Sequence, residues 1–202
     1  MATVSNLSEE VREKMVNPIR WAILLFSLGL LGLTTAMFYN YFGDFNGFEG
    51  IVFNSYVFEA RYSWVDSLGI HWSVGLDALS FPMVWLTTLL LPITIIATWD
   101  EKNGAYYHPL ILLMGGALIG VFVALDLFMF YVFWELTLIP MFFLILKWGG
   151  ADRKYAAQKF FIYTFTASVV MLLGLVTLYF LQNPLDQLAY SGSLTGRTFD
   201  IP

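Results

Sequence analysis

One carboxylate stands alone in the apolar stretch YVFWELTLIPMFF at positions 131–143, where Glu135 is the single charged residue. At the midplane of a membrane, a charged side chain costs about 2.5–3.5 kcal/mol on insertion scales, so such residues usually face a polar interior and mark proton pathways. We therefore interpret Glu135 as a proton-transfer site. The alternative is structural: a protonated Glu135 that is hydrogen-bonded to a neighbouring helix.

Two residues close to Glu135 in sequence are candidate supports for it. Trp134 precedes it directly, and Pro140 follows five residues later. A proline inside a helix leaves the carbonyl four residues earlier, here that of Leu136, without its helical donor. This carbonyl is a candidate to bind water beside the carboxylate. The alternative reading of Pro140, and of Pro92 in an earlier apolar segment, is a packing kink, which membrane helices tolerate.

Cations and histidines give weaker signals. Lys159 opens the segment KFFIYT, and its long stem is predicted to extend to the membrane surface. Lys147 lies about 18 Å from Glu135 along a helix, so neither lysine is predicted to pair with it directly. His71 and His108 are predicted to lie in separate loops near the interface, and they do not indicate a metal site.

Hydroxyl groups and small residues within the apolar segments have mainly structural interpretations. Hydroxyls in membrane helices more often bond to their own helix or to a neighbour than line a water path. The residues concerned are Thr87, Thr88, Thr94, Thr98, Thr164, Thr166 and Ser168. Gly116 and Gly120 form a GxxxG pair, which predicts close approach of another helix.

The composition places these residues in a membrane. Of the 202 residues, 58% are hydrophobic and only 12% are charged, and the mean hydropathy is +0.70. This is about half the charge of an ordinary soluble domain. The absence of cysteine excludes disulfides, Cys-based zinc sites and iron–sulfur clusters within the chain. No basic patch indicates a nucleic-acid partner.

Apolar runs predict an all-α membrane protein with about five transmembrane helices. The predicted spans are 21–42, 75–99, 110–126, 127–146 and 160–181. The third and fourth form an antiparallel hairpin, with Asp126 at the turn. Residues 1–20 are predicted to be an interfacial segment containing a short helix that ends at Pro18, the alternative being a disordered tail. Residues 183–202 are predicted to be an extramembrane tail.

The distribution of Lys and Arg predicts the orientation. With the N-terminus on the cytoplasmic or matrix side, eight of the ten basic residues lie inside, and only Arg61 and Arg197 lie outside. This split follows the positive-inside rule. The segment 43–74 then faces the opposite side. Its stretch YVFEARYSWV predicts a short hairpin, with Phe58, Ala60, Tyr62 and Trp64 on one face.

Three segments resemble a known family. GLDALSFPMVWLTTLLLP at 75–92, which contains Asp77, LDLFMFYVFWELTLIPMFFLI at 125–145 and KFFIYT at 159–164 are similar to the antiporter-like membrane subunits of respiratory complex I. The type most resembled is the M subunit, which corresponds to mitochondrial subunit 4. The resemblance covers roughly residues 20–182 and corresponds to the N-terminal part of such a subunit.

This resemblance implies a function that the composition does not. Family members translocate protons across a coupling membrane, driven by quinone reduction elsewhere in an oxidoreductase complex, and they bind no redox cofactor themselves. The family glutamate that matches Glu135 is the acidic partner of a lysine on a later helix. Asp77, Trp134, Pro140 and Lys159 lie within the matching segments and are carried over as supporting residues.

The sequence also differs from the family pattern, and these differences lead to further expectations. Family members have about fourteen helices in two inverted repeats, whereas five are predicted here, so Glu135 has no lysine partner within this chain. We therefore expect the partners to be other membrane-arm subunits, the lipid bilayer and a chain that supplies the later helices with the lysine. Two alternatives remain: a subunit of a multi-subunit cation/proton antiporter, or a shortened, non-pumping subunit that fills the membrane arm.

Overall fold

Five long helices and one β-hairpin make up the described chain. The computed structural model describes residues 2–43, 57–65, 70–101 and 104–181, with the side chains of the first helix described from 17 to 40. The elements in chain order are α1 Ala2–Gly43, β1 Val57–Val65, β2 Ile70–Leu76, α2 Ser80–Ala97, α3 Gly104–Val123, α4 Leu127–Trp148 and α5 Arg153–Leu181. Each helix contains a stretch long and apolar enough to cross a membrane, which confirms the predicted class and number of spans.

Several predicted boundaries were wrong. α1 continues through Pro18 to Gly43, so the helix does not end at the proline. Proline lacks the backbone N–H and so removes one hydrogen bond from the helix. A long helix can continue through a proline with a kink. The second span begins at Ser80 because β2 and a turn occupy the preceding residues. The third and fifth helices begin before the predicted spans, at Gly104 and Arg153. The predicted tail at 183–202 lies outside the described residues.

The predicted hairpin is confirmed, but its simple alternation of faces is not. β1 and β2 pair antiparallel, with irregularities between Val57 and Ala60 and between Ser63 and Val65. Each bulge adds a residue to β1 and shifts the side chains that follow to the other face. Phe58, in the first bulge, has a left-handed φ of 56°. Phe58, Tyr62 and Trp64 consequently remain largely exposed.

β2 anchors the hairpin on the helices. Its backbone continues into the connection between α3 and α4: Val74 forms a bridge with Ala124, and Leu125 donates a hydrogen bond to the Ser73 carbonyl at 2.9 Å. Ile70 packs in an apolar cluster with Tyr179 of α5. The hairpin therefore closes one end of the bundle.

Each helix packs mainly against its neighbours in sequence. α1 packs on α2 and α3, α2 on α3, α3 on α4, and α4 on α5. Ile23 and Leu24 of α1 form a cluster with Ile95 of α2. In the same interface, the hydroxyls of Thr34 and Thr88 are hydrogen-bonded at 2.8 Å. α5 contacts the bundle mostly through α4, and most of its remaining surface is exposed and apolar.

Glycines permit the close contacts of α3, although not at both predicted positions. A Cβ on Gly120 would overlap the ring of Phe133 in α4, and a Cβ on Gly115 would overlap Leu91 in α2. Gly116 faces open space. The GxxxG interpretation was therefore half right: Gly120 lies in the α3–α4 interface, whereas the close contact of α3 with α2 is at Gly115 and not at Gly116.

We predict that Gly120→Ala destabilises the protein and that Gly116→Ala does not. The added methyl group at Gly120 must displace an aromatic ring, and such overpacking costs about 1–3 kcal/mol. The measurement is thermal unfolding of the assembled protein in mild detergent. Equal unfolding temperatures for the two variants would contradict the assigned α3–α4 packing.

Candidate functional site

Glu135 is the ninth residue of α4, about 12 Å along the helix axis from its first residue. It therefore lies inside the apolar layer, on the hairpin side of the middle of this helix. Its side chain is partly buried, and the oxygen Oε1 is buried without a hydrogen-bond partner among the described residues. A buried polar atom without a partner costs about 1–3 kcal/mol, more when the group is charged, and calls for an explanation.

Tyr131 is the polar neighbour of this carboxylate. It lies one helical turn before Glu135, a spacing that places the two side chains on one face of α4. Ser168 of α5 is the other hydroxyl group near this position. Ser168 is buried, and its own proton is donated to the Phe165 carbonyl at 2.8 Å.

The predicted supporting residues are dispersed around the bundle. Pro140 is fully buried within α4, on the turn after Glu135. Trp134 is 40% exposed and stacks on Phe130, with ring centroids 6.1 Å apart. Lys159 is exposed, with its ammonium 5.5 Å from the ring centroid of Tyr155. The structure therefore does not gather these residues into one site with Glu135.

Asp77 lies at the hairpin end of the bundle, where β2 leads into α2. Its Oδ1 accepts a hydrogen bond from the backbone N–H of Ser80 at 2.6 Å, and its own N–H donates to the Ser80 hydroxyl at 3.0 Å. Partial burial opposes ionisation, but the hydrogen bonds from Ser80 and Leu79 outweigh it and hold the pKa of Asp77 below its usual value. Asp77 thus stabilises the start of α2.

Asp126 is fully buried between the hairpin and α4. Its Oδ1 accepts hydrogen bonds from the backbone N–H groups of Phe128 and Met129, at 2.8 and 3.1 Å. Its Oδ2 accepts one from the N–H of His71 in β2, at 3.2 Å. The predicted place of Asp126 at the turn is correct. Its role as a joint between β2 and α4 was not predicted.

The prediction that His108 lies in a loop was wrong. His108 is a fully buried residue of α3. Its Nδ1 is 2.9 Å from the Gly104 carbonyl oxygen, and its Nε2 is 3.4 Å from the Thr98 hydroxyl. The Arg20 guanidinium packs against Gly104 and donates a hydrogen bond to the Glu101 carbonyl at 2.5 Å. These residues join α1, α2 and α3 at the end opposite the hairpin.

The predicted hydroxyl pattern is largely confirmed. All seven hydroxyls donate to a backbone carbonyl three or four residues earlier. Six of these residues lie within a helix, and Thr98 directly follows α2. Within the described residues, no group of three His, Asp or Glu side chains could hold a metal ion.

Comparison with known proteins identifies the family. A family described as NADH:quinone oxidoreductase/Mrp antiporter, TM, matches residues 124–192. Subunit M of the F(420)H(2) dehydrogenase of Methanosarcina mazei is 44% identical over 156 residues, which are 76% of this chain and 30% of that protein. Chain 4 of an NAD(P)H-quinone oxidoreductase of Nostoc is 38% identical over 192 residues, which are 95% of this chain and 32% of that protein.

Solved structures agree. A chain of respiratory complex I from Thermus thermophilus matches with a TM-score of 0.66 and 26% identity, over 90% of this chain and 33% of that one. The chain belongs to the antiporter-like membrane subunits of the complex I type. A chain of the Mrp complex from Dietzia, with a TM-score of 0.63 and 18% identity over 92% of this chain and 18% of that one, shares the fold.

This antiporter-like chain spans only about a third of the length of the curated relatives named above. That share agrees with the predicted correspondence to the N-terminal part of a subunit. The stretch around Glu135 lies within the residues that the family description matches.

We predict that Asp126→Ala weakens the junction between the hairpin and α4, whereas Asp126→Asn retains most of its stability. Alanine leaves three backbone N–H groups without their acceptor, and losing a helix cap costs about 0.5–2 kcal/mol. The amide oxygen of asparagine can still accept from the start of α4. Thermal unfolding checks this, with the exposed Asp100→Ala as control. If Asp126→Ala melted like Asp100→Ala, the junction would contribute nothing measurable.

Proposed function

We propose that this chain forms part of a proton-translocating subunit in the membrane arm of a complex I-type oxidoreductase, with Glu135 as the titratable site. The subunit itself carries no redox group, and quinone reduction on other subunits supplies the driving energy. In this assignment the chain is a component of a translocase. Glu135 gains and loses a proton during turnover.

The observation that carries this proposal is the buried, unpartnered Oε1 of Glu135 in a membrane-spanning helix. A carboxylate retained only for packing would be expected to have both oxygens satisfied. During proton transfer, the hydrogen bonds of the carboxylate must change as it gains and loses a proton. The unpartnered Oε1 of Glu135 is consistent with such a role. The names of the relatives, subunit M and chain 4 of quinone oxidoreductases, support the same assignment.

The partners that this function requires are further membrane-arm segments. A cation from outside the described residues is needed to stabilise ionised Glu135, and a lysine on another helix is the partner that we propose. The exposed apolar surface of α5 supports such packing, because α5 contacts the described bundle mainly through α4. Neighbouring helices and lipid would cover this surface.

Two other functions would use the same fold. A multi-subunit cation/proton antiporter is one, since the matching family description includes the Mrp antiporter. A non-pumping subunit that fills the membrane arm is the other. The first also uses an ionisable Glu135, whereas the second does not, so substitution of Glu135 separates the filler from both transport functions.

We predict that Glu135→Gln preserves assembly and abolishes most proton translocation. Glutamine is nearly isosteric and cannot change its charge, and a neutral side chain is no harder to insert into the membrane. Glu135→Asp should retain part of the activity because the carboxylate remains. The measurements are proton translocation and quinone reductase activity in sealed membranes, with the content of assembled complex determined in parallel.

The control for this experiment is Glu59→Gln, which removes an exposed carboxylate from β1. It should translocate protons at the rate of the unmodified protein. Normal translocation by Glu135→Gln at normal complex content would exclude the proton-transfer role and favour the filler.

The same proposal includes an orientation, with the hairpin on the outer side and the α4–α5 connection on the cytoplasmic or matrix side. Eight of ten basic residues on one side support it. The packing brings basic residues of α1 and α4 to the same end of the bundle. Arg20 donates to the Glu101 carbonyl there, and Tyr107 packs on Trp148, the residue after Lys147, with ring centroids 5.0 Å apart.

Cysteine labelling tests the orientation cleanly, because the chain contains no cysteine. We predict that Ala151→Cys reacts with a membrane-impermeant maleimide from the cytoplasmic or matrix side, and Ser63→Cys from the opposite side. Both residues are exposed, at opposite ends of the bundle. The reverse pattern of labelling would invert the assigned orientation.

A further inference from the structure

A groove opens between α3 and α4 near the end of the bundle opposite the hairpin. Its cavity volume is about 310 Å³, and its walls are mostly apolar, with Pro109, Leu110 and Leu113 on α3 and Phe143 on α4. This volume is at the small end of ligand sites, which measure about 300–1,000 Å³. Leu113 is 44% exposed and Phe143 41% exposed, so the groove is open to the surroundings of the described bundle.

The polar side chains of this groove lie at one end of it. Lys147 is in the last turn of α4, about 6 Å along the helix from Phe143, and Tyr106 is about 10 Å along α3 from Leu113. The Lys147 ammonium lies 4.7 Å from the ring centroid of Tyr106, so the cation joins the two walls at the mouth. The groove therefore has a cationic mouth and an apolar floor, a distribution that matches an amphiphilic ligand.

The surroundings of the Lys147 ammonium within the described residues are aromatic rather than acidic. It lies against the ring of Tyr106 and 5.8 Å from the ring centroid of Trp148. A second cation is close, because Nη1 of Arg153 donates a hydrogen bond to the Lys147 carbonyl at 2.9 Å. Both basic side chains are exposed. Basic residues at the ends of membrane helices attract anionic lipid headgroups.

We propose that the groove binds one acyl chain of a phospholipid with an anionic headgroup, and that Lys147 holds the phosphate of this lipid. The acyl chain lies along Leu110, Leu113 and Phe143, and the headgroup lies in the leaflet at the α4–α5 end of the bundle. Arg153 adds positive charge next to the phosphate. This site does not depend on the charge or the role of Glu135.

Size and charge favour a lipid over another protein helix as the occupant. Two turns of a helix about 10 Å across occupy roughly 800 Å³, so a helix can cover the groove but cannot enter it. A covering helix would also bury the Lys147 ammonium, which then needs a carboxylate to pair with. A phospholipid supplies both the narrow apolar chain and the anion, and its phosphate lies at the membrane surface that a lysine side chain reaches.

The test is photolabelling of the intact complex that contains this chain, in lipid nanodiscs. Two probes carry the same diazirine-labelled acyl chain, one on anionic phosphatidylglycerol and the other on zwitterionic phosphatidylcholine, and mass spectrometry identifies the labelled residues. The anionic probe should label Leu110 and Phe143 about fivefold more than the zwitterionic probe, the factor expected for one basic residue near an anionic headgroup. A lysine that only complements the dipole of α4 would give no such selectivity.

Substitutions at the mouth of the groove test the headgroup contact at equal content of assembled complex. Lys147→Gln should remove most of the preference for the anionic probe, whereas Lys147→Arg keeps the charge and should keep the preference. The matched control is Lys154→Gln, which removes another exposed cation at the same end of the bundle and should leave the labelling unchanged.

A substitution on the floor tests the acyl-chain contact. Leu113→Trp fills the groove and should reduce labelling of Leu110 and Phe143 by both probes. Its control is Leu90→Trp, at a position of α2 that is 50% exposed and outside the groove, which should label like the unmodified protein. If Lys147→Gln failed to assemble, the selectivity of the unmodified complex and this pair of tryptophan variants would decide.

Three results would overturn this site. Absence of label on Leu110 and Phe143 with both probes would mean that protein covers the groove. Equal labelling by the two probes would mean that the groove accepts any acyl chain without recognising the headgroup. A preference for the anionic probe that persisted in Lys147→Gln, or that Lys154→Gln reduced as strongly, would mean that Lys147 does not hold the phosphate.

Discussion

The hydrogen bonds of Asp126 determine how the described chain holds together. This carboxylate lies at the one place where the hairpin meets the α3–α4 turn, and it accepts from the backbone of both β2 and α4. Backbone N–H groups that leave water must find acceptors. One buried side chain meets that need for a strand and for a helix start at once. It thereby caps α4 and fixes where this helix begins.

The position of Glu135 follows from that constraint. Because α4 is rigid, fixing its first turn fixes the depth and the direction of a side chain two turns further on. Tyr131 lies between the two acidic residues in sequence, on the face of α4 that carries Glu135. At the opposite end, Arg20 and His108 each make a polar contact with a backbone carbonyl. The ends of the described bundle are therefore joined by polar contacts, and Glu135 lies between these joints.

Sequence alone predicted the spans and the hairpin, because apolar length and aromatic alternation are local signals. It also singled out Glu135 as a charge within an apolar run, and the role of this residue stays a prediction. Sequence alone failed at a helix start and at a contact between segments. His108 was assigned to a loop because the predicted third span began at 110, whereas α3 begins at Gly104. Gly116 resembles Gly115 until Leu91 of α2 is placed beside Gly115. The i,i+4 spacing of Tyr131 and Glu135 was visible in the sequence. Ser168 as their neighbour on α5 was not.

The order of packing has a consequence for biogenesis. Apart from the contact of α1 with α3, each helix of the described bundle packs chiefly on the helix before it in sequence. A chain that enters the membrane from its N-terminus therefore offers every new helix a partner that has already been inserted. These contacts join helices that are adjacent in sequence, and such local contacts form quickly and with little loss of chain entropy. The bundle can grow helix by helix during synthesis, and α5 is the surface that remains open when the last described helix has been added.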